Sequence, residues 1–329
     1  MSNIINQPIT YVKDKELKIA FLGTPEFAVP ILEKLIQSRY KPIAVFCAPD
    51  KPVGRKQILT SPPVKVIAQK NNIPIYQPEN VADFKLQITS LNPDLIICAA
   101  YSLILPKEVL DVPKFGCLNI HPSLLPKYRG PSPIQYAILN GDKETGVTII
   151  KMNEKIDAGP IVVNYKLQIT NYKFTTPQLS QKLSEIGADL LLEILPNWLS
   201  GKIRPQPQDE SQATYTKIIK KEDGLINWQR SAQEIERQIR AFTPWPGAYT
   251  RIMNNESRIM NLKITEAAVS KDGKNKKLGE VFLTDNGELV IRTNDGCLLP
   301  GKLQMEGGKP MSADEFLRGH HEIVGQIFL

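Results

Sequence analysis

The chain has 329 residues, of which 42% are hydrophobic and 23% charged, and its formal net charge is +7. This length exceeds one typical hydrophobic core and predicts two domains. The composition excludes collagen-like, low-complexity and wholly disordered proteins, and the positive charge favours an anionic partner such as a nucleic acid or a phosphorylated metabolite.

The sequence also disfavours membrane and metal-binding functions. No run of 18 apolar residues occurs, and the mostly polar segment 1–17 lacks the apolar region of a signal peptide. We therefore expect a cytoplasmic protein with a frayed N-terminal extension. The cysteines are scattered without a CxxC pair, so we interpret them as buried reduced thiols and expect no metal site. They are Cys47, Cys98, Cys117 and Cys297.

The first 200 residues alternate short apolar runs with helical patterns. The run Lys18–Gly23 predicts a buried strand, and Thr24 followed by Pro25 predicts a helix that continues to about Ser38. Strands that alternate with helices predict a Rossmann-like, open and mainly parallel α/β sheet. Further strands are predicted at 42–47, 94–100, 116–121 and 146–152. Ser61 followed by Pro62 predicts a second helix with Ser61 as its cap, and a long helix is predicted over 176–199.

The C-terminal third has a different pattern. Residues 204–223 are a predicted linker, because the segment is rich in proline and polar residues and has no periodicity. Ser231 and Glu234 then form a capping box at the start of a helix. Short strand-like runs broken by Asp-Gly and Asn-Gly turns follow. The sequence thus predicts a sheet domain over 18–203 and a smaller OB-like β-barrel carrying one helix over 224–329. The turns are at Asp272, Asn286 and Asp295.

The turn after the first strand, 23–28, carries a single glycine. It therefore lacks the G-x-G-x-x-G loop that approaches a pyrophosphate, and the chain has no Walker loop. These absences argue against an NAD-linked dehydrogenase and a P-loop ATPase. Ligands of an open α/β sheet still bind beyond the carboxyl ends of its strands.

Three polar residues are candidates for chemistry at that edge of the sheet. Asn119 and His121 lie two residues apart at the end of a predicted strand, so their side chains point to the same side. A loop bounded by proline and glycine, 122–130, follows them, and Asp157 lies in a turn after the next strand. A structural histidine and a common Asp-x-Gly turn are the alternative interpretations.

These residues together resemble a known signature. Asn119-x-His121, the loop 123–126 with Arg129-Gly130, and Asp157-Ala-Gly159 are similar to the motifs of the 10-formyltetrahydrofolate-dependent formyltransferases. The resemblance extends from about Lys18 to Arg318. The Asn/His/Asp set is typical of the whole superfamily, whereas the two domains and the loop at 50–65 indicate the members that act on methionyl-tRNA.

The resemblance implies transfer of the formyl group of 10-formyltetrahydrofolate to the amino group of initiator methionyl-tRNA. Asn119 would donate a hydrogen bond to the oxyanion, and a neighbouring imidazole can do the same. Asp157 would orient His121 and accept or relay the proton of the amine. The sequence leaves the proton route among Asp157, His121 and water open. By the same resemblance, folate would bind at Ser123, Leu124, Leu125 and Pro126, with the backbone of 100–105 near the pterin.

The loop at 50–65 is long for a compact domain, and such loops are functional or disordered. Its basic tip suits phosphates or base edges. The resemblance favours insertion into the acceptor end of the tRNA, although residues 56–58 depart from the lysine- and glycine-rich pattern of the family. A solvated, mobile loop is the alternative. The candidate tRNA contacts are Lys51, Arg55 and Lys56.

Four functions are possible at this point. The first is the formylation of methionyl-tRNA. The other three are a formyltransferase for a sugar amine or glycinamide nucleotide, a hydrolase that releases formate from the same folate, and a non-enzymatic RNA-binding protein. The second domain and the loop at 50–65 favour the tRNA enzyme, which we expect to be a monomer with its C-terminal domain against the tRNA body.

Overall fold

The computed structural model describes residues 17–54, 57–170, 173–253, 259–271 and 275–328. The chain divides into two compact units, Met1–Asn119 and Ile120–Leu329. One strand, Cys117–His121, runs from the first unit into the second. Within the described ranges, no helix is both long enough and apolar enough to cross a bilayer.

The first unit contains a parallel sheet whose strand order is β5-β2-β1-β6-β7. Its central strands β1 and β6 are buried along their whole length, as expected for a sheet covered on both faces. This confirms the predicted Rossmann-like architecture. The elements are β1 (Ile19–Gly23), α1 (Val29–Ile36), β2 (Ala44–Phe46), β3 (Lys51–Val53), β4 (Ile58–Thr60), α2 (Pro63–Lys70), β5 (Ile75–Tyr76), α3 (Val81–Leu91), β6 (Leu95–Ala99), α4 (Lys107–Leu110) and β7 (Cys117–His121).

Two helix starts differ from the sequence-based expectation. A 3-10 turn follows Pro25, and α1 begins only at Val29. The predicted cap at Ser61 is wrong: α2 begins at Pro63 without a side-chain cap. The Ser61 hydroxyl instead donates a hydrogen bond to Asp50, 3.1 Å away. The local sequence predicted that this hydroxyl would cap the helix, but in the structure it is bonded to a residue that is distant in sequence.

The second unit begins with the end of β7 and continues into an antiparallel pair, β8 and β9. The sequence predicted β8 but not β9, because polar and apolar residues do not alternate regularly along β9. The long helix α6 has the predicted bounds, and a capping box between Thr175 and Gln178 fixes its start. The elements of this part are α5 (Pro133–Leu139), β8 (Glu144–Lys151), β9 (Ile161–Gln168) and α6 (Thr176–Leu199).

The C-terminal part of the second unit is an antiparallel sheet with the order β10-β11-β14-β13-β12, and β15 pairs with β14. The predicted antiparallel β domain is confirmed, but the barrel is not closed: among the described residues the end strands β10 and β12 do not pair with each other. Strand β12 has only three residues and offers a short edge. The elements are α7 (Ala232–Phe242), β10 (Ala248–Met253), β11 (Ile259–Ser270), β12 (Val281–Leu283), β13 (Leu289–Arg292), β14 (Cys297–Met305), β15 (Met311–Ser312) and α8 (Ala313–Gly319).

Two helices accompany this sheet rather than the one that the sequence predicted. Helix α7 starts with the predicted capping box, since the Ser231 hydroxyl accepts from the Glu234 amide and the Glu234 carboxylate accepts from the Ser231 amide. The short helix α8 begins with a second capping box at Ser312. The predicted turn at Asn286 is confirmed by Gly287, which has φ +79°, while Asp272 lies outside the described residues.

Candidate active site

The site is centred on the end of strand β7. Asn119 and His121 are 9% and 4% exposed, and they occupy alternate positions of the strand, so both side chains leave the same face. The intervening Ile120 points to the other face and is buried. Alternation along a strand thus places an amide and an imidazole together, as predicted.

Both ring nitrogens of His121 face protein oxygens. Nε2 lies 2.9 Å from the carbonyl oxygen of Tyr128. Because a carbonyl can only accept, Nε2 carries the proton and donates it to that oxygen. Nδ1 lies 3.6 Å from Oδ1 of Asp157. In that tautomer Nδ1 carries a lone pair and faces the carboxylate oxygen.

Asp157 lies in the turn between β8 and β9, with φ +50°. Left-handed backbone is uncommon outside glycine, although aspartate tolerates it better than most residues, and such conformations cluster at functional sites. Its Oδ2 accepts a hydrogen bond of 2.8 Å from the amide of Gly130. A glycine is required two residues later, since a Cβ at position 159 would overlap the carbonyl oxygen of Lys151. One carboxylate oxygen is therefore fixed and the other faces His121.

The predicted folate loop follows directly after His121 and is fixed by its own hydrogen bonds. Ser123 is 1% exposed, and its hydroxyl donates to the carbonyl of Lys127 at 2.6 Å. The hydroxyl of Thr148 accepts from the amide of Leu125 at 3.1 Å and donates to the carbonyl of Ser123 at 2.7 Å. The Ser123 hydroxyl is thus engaged inside the loop, and the loop presents a fixed backbone shape. Leu124 and Pro126 are partly buried beside it.

Arg129, named from the sequence only as part of a motif, is fully buried. Its guanidinium donates to both carboxylate oxygens of Glu210, at 2.8 and 2.9 Å, and to the amide oxygen of Gln208, at 2.8 and 3.1 Å. The hydroxyl of Tyr215 accepts a further hydrogen bond. These hydrogen bonds, with Glu210 first, raise the pKa of Arg129 above its ordinary value, so its charge is permanent.

Sequence reasoning missed Gln208, Glu210 and Tyr215. They lie in the predicted linker, 79 to 86 residues beyond Arg129. No local periodicity marks such contacts. Only the arginine itself, in a loop that the fold buries, indicated that an acid elsewhere in the chain must face it, because a buried charge requires a partner.

The loop predicted to contact tRNA forms a two-stranded hairpin from β3 and β4. Lys51 lies on its first strand and is exposed, whereas Arg55 and Lys56 lie outside the described residues. The hairpin also exposes three apolar side chains. They are Val53, Ile58 and Leu59.

A polar cluster closes the base of this hairpin. The carboxylate of Asp50 accepts from Lys65 at 2.8 Å, from Gln77 at 2.9 Å and from Ser61. These hydrogen bonds, Lys65 foremost, hold the pKa of Asp50 below its usual value. The amide nitrogen of Gln77 also donates to the carbonyl of Ala48. The hairpin therefore projects from a fixed base.

The part of the chain that the structure describes contains no group of three or more His, Cys, Asp or Glu side chains able to hold a metal ion. All four cysteines are buried, as predicted. Burial raises the pKa of the Cys47 thiol to about 11, so it stays protonated at neutral pH.

Comparison with known proteins gives consistent matches. A family model described as formyl transferase matches residues 17–195, and a model of the formyl transferase C-terminal domain matches residues 218–321. The chain is 42% identical over 313 residues to a methionyl-tRNA formyltransferase of Bacillus subtilis, a match that covers 94% of this chain and 97% of the relative.

Among solved structures, HypX from Aquifex aeolicus in complex with tetrahydrofolic acid superposes with a TM-score of 0.63 at 19% identity. The match covers 94% of this chain and 48% of HypX, so the chain spans about half the length of that protein. An N-formyltransferase from Helicobacter canadensis, solved with folinic acid and dTDP-3-aminofucose, gives 0.62 at 21% identity, covering 86% of this chain and 98% of that one. At these identities the two structures support the fold alone.

Proposed function

We infer that this chain, which belongs to the methionyl-tRNA formyltransferase family, transfers the formyl group of 10-formyltetrahydrofolate to the free amino group of initiator methionyl-tRNA. The product, N-formylmethionyl-tRNA, serves translation initiation. The observation that carries this proposal is the pair formed by buried His121, at the end of β7, and half-buried Asp157, in a chain 42% identical to a curated member over nearly its full length.

The reaction makes two demands on the protein. The methionyl nitrogen attacks the formyl carbon, which turns the formyl oxygen into an oxyanion and the amine into an ammonium. The new C–N bond remains, the bond from the formyl carbon to the folate nitrogen breaks, and one proton moves from the amine to that folate nitrogen. The site must therefore stabilise an oxyanion and carry one proton.

Asn119 meets the first demand in this proposal. Its amide N–H donates to the developing oxyanion, and burial strengthens such a hydrogen bond because little water competes with it. Both ring nitrogens of His121 already face Tyr128 and Asp157. In this proposal Asn119 supplies the oxyanion contact and His121 acts together with Asp157.

The His121–Asp157 pair meets the second demand. Oδ1 of Asp157 and Nδ1 of His121 lie 3.6 Å apart, and in this proposal the pair takes the proton of the ammonium and later returns it to the folate nitrogen. The amide of Gly130 holds the other carboxylate oxygen. This hydrogen bond fixes the orientation of the carboxylate, and with it the direction from which Asp157 can accept a proton.

We propose that folate binds against the Ser123–Pro126 loop and the backbone of 100–105. Two features of the second segment suit a flat polar ring. The side chain of Ile104 is 64% exposed, and the buried hydroxyl of Tyr101 has no hydrogen-bond partner in the described part of the chain. A pterin could cover the first and satisfy the second, since a buried unpaired hydroxyl is unfavourable.

The β3–β4 hairpin and the C-terminal domain are the proposed tRNA contacts. Lys51, Arg55 and Lys56 would meet the acceptor end, and residues 224–329 would hold the tRNA body. Catalysis would then belong to 18–203. A monomeric protein in the cytoplasm suits this role, and light scattering of the free protein tests the monomer.

The substrate is tested by offering 10-formyltetrahydrofolate with each acceptor in turn. The acceptors are charged initiator tRNA, glycinamide ribonucleotide, an amino-sugar nucleotide and water. We expect rapid formylation of methionyl-tRNA alone. Preferred formylation of an amino sugar, or release of formate at the same rate without an acceptor, would overturn the proposal.

The role of Asp157 is tested by Asp157→Asn, which keeps the shape of the side chain and removes its capacity to accept a proton. We expect kcat to fall by at least about a hundredfold, with little change in folate affinity. The matched control is Asp142→Asn, because Asp142 forms its ion pair with Lys127, whose side chain is 48% exposed. Near-parental turnover of Asp157→Asn would refute the assignment.

A further inference from the structure

The side chain of Gln208 bridges the two halves of the candidate site. Its amide oxygen accepts from Nε and Nη2 of Arg129, at 3.1 and 2.8 Å. Its amide nitrogen donates to the carbonyl oxygens of Asp157 and Gly159, both at 2.7 Å. All four hydrogen-bonding positions of one carboxamide are thus used by two loops that are far apart in sequence.

We propose that Gln208 is a positioning residue for Asp157, supplied by the segment between the two matched family domains. Gln208 holds the backbone of the Asp157 turn, and this turn aims the carboxylate at His121. The inference rests on the proposed function, because it gives Gln208 a role only if Asp157 carries the proton.

The orientation of this carboxamide is determined by its partners. A guanidinium has only donors, and two carbonyls have only acceptors. The reversed amide would place its NH2 group against Arg129 and its oxygen against the carbonyls of Asp157 and Gly159, which is repulsive on both sides. Only a side chain with one acceptor and one donating nitrogen, at this length, fits both loops.

The Asp157 turn needs such support. With φ +50°, Asp157 is held in a conformation that non-glycine residues adopt only when the surroundings stabilise it. Gln208 holds the carbonyl of Asp157 itself, and Gly130 holds its Oδ2. Backbone and side chain of the same residue are therefore fixed from two directions, which is the preorganisation that an acid–base group requires.

Arg129 holds the other end of Gln208 in place. The guanidinium is fully buried, yet the side chain of its ionic partner Glu210 is 69% exposed. The same loop and segment also pair through their backbones, where Arg129 exchanges hydrogen bonds of 2.8 Å with Thr214 and Thr216. The segment 208–216 is therefore fastened to the catalytic loop along its length, and Gln208 is the residue in it that reaches Asp157.

Two variants separate the hydrogen bonds that Gln208 makes to Arg129 from those that it makes to the carbonyls of Asp157 and Gly159. Gln208→Leu removes both sets of hydrogen bonds. Gln208→Glu keeps an acceptor for Arg129 but cannot donate to the carbonyls of Asp157 and Gly159. The matched control is Gln206→Leu, the same substitution two residues earlier, where the exposed side-chain amide donates to the carbonyl of Arg204. Kinetics use the full-length protein with 10-formyltetrahydrofolate and methionyl-tRNA.

We expect both Gln208 variants to lower kcat by about ten- to a hundredfold, the range for a displaced catalytic group, with less than twofold change in KM for either substrate. Gln208→Glu should lose as much kcat as Gln208→Leu while keeping a midpoint of urea unfolding closer to that of the parent. Parental kcat in Gln208→Glu, or an equal loss in Gln206→Leu, would overturn the inference.

A double-mutant cycle with Asp157→Asn distinguishes positioning from general structural support. Once Asp157 cannot accept a proton, Gln208→Leu should lower kcat less than twofold further, because no catalytic carboxylate remains to be positioned. A full additional tenfold loss would show a structural role and overturn the inference. Near-parental turnover in Asp157→Asn alone would instead refute the proposed function. Loss in Asp157→Asn with parental Gln208 variants would refute only the inference.

Hydrogen exchange gives a readout that needs no turnover. The amide of Gly130 donates to Asp157, so it should exchange faster in both Gln208 variants and at the parental rate in Gln206→Leu. Unchanged exchange at Gly130 in Gln208→Leu would contradict the proposed link.

Discussion

The catalytic loop at 122–130 and the hairpin at 51–60 both carry arginines and both follow a strand, yet they are built in opposite ways. In the first, Arg129 is fully buried among Gln208, Glu210 and Tyr215. In the second, every described residue is exposed, including apolar Leu59 at 66%. Under the proposed function, the first region would serve the chemistry and the second the recognition of tRNA.

The difference follows from what each region must do. A proton acceptor has to be held within a fraction of an ångström of its productive position, which requires a dense network of hydrogen bonds. A surface that contacts a large flexible partner can instead rely on exposed cations and apolar groups. Such a segment, with few buried contacts, has low local stability, and among its described residues the side-chain network lies at the base, around Asp50.

The largest effect should come from filling the space at Gly159. Gly159→Ala places a Cβ against the carbonyl of Lys151, which is backbone and cannot move aside without distorting the Asp157 turn. We expect a loss of about 3 kcal/mol in the free energy of unfolding and a large fall in kcat. Urea denaturation and steady-state kinetics measure these. Gly319→Ala, with nothing within 4 Å, should change stability by less than about 0.5 kcal/mol.

Removing the buried charge should have the next largest effect. Arg129→Met keeps much of the volume but leaves Gln208 without its donors, so we expect a loss of about 2–3 kcal/mol. The exposed Glu210 can be rehydrated, which keeps the loss at the lower end of the range for buried ion pairs. The control is Lys107→Met, which breaks an exposed pair with Asp111 and should change stability by less than about 0.5 kcal/mol. Equal losses in both variants would contradict the contrast between buried and exposed cations.

For Arg55, which the sequence places between β3 and β4, the effect should fall on binding instead of folding. Arg55→Ala should lower kcat/KM for methionyl-tRNA by about tenfold, as expected for one lost charge-assisted contact, and leave folate KM unchanged. Its free energy of unfolding should stay within about 0.5 kcal/mol of the parent. Arg39→Ala, an exposed arginine after α1, is the control. Equal activity of Arg55→Ala and parent at subsaturating tRNA would remove Arg55 from the interface.

The smallest effect should come from loosening the base of the hairpin. Asp50→Ala removes the acceptor shared by Lys65, Gln77 and Ser61. We expect faster hydrogen exchange in 51–60 and about a threefold loss of kcat/KM for tRNA, since a mobile loop loses more entropy on binding.

The same cluster has a predictable dependence on pH. Its hydrogen bonds lower the pKa of Asp50, so its contribution is present above the ordinary aspartate pKa of about 4 and is lost as pH falls through the lowered value. Exchange in 51–60, corrected for its intrinsic pH dependence, should therefore be constant between about pH 5 and 7 in the parent. A change within that range would contradict the network.

Several features of this protein were determined by the sequence alone, because their causes are local. Buried strands such as β6, the capping boxes at Thr175 and Ser231, and the bounds of α6 depend on residues within a few positions of one another. The pairing of Asn119 with His121 follows from the two-residue period of a strand.

Other features were decided only by the tertiary structure. The Ser61 hydroxyl donates to Asp50 and not to the helix that the sequence predicted. Strand β9 was not predicted because packing, and not its own pattern, stabilises it. The bridge through Gln208 joins residues 49 to 79 positions apart. The local sequence around a polar side chain in a segment without periodicity does not indicate its partner. The folded structure decides the partner, because buried donors and acceptors from distant parts of the chain must be paired with each other.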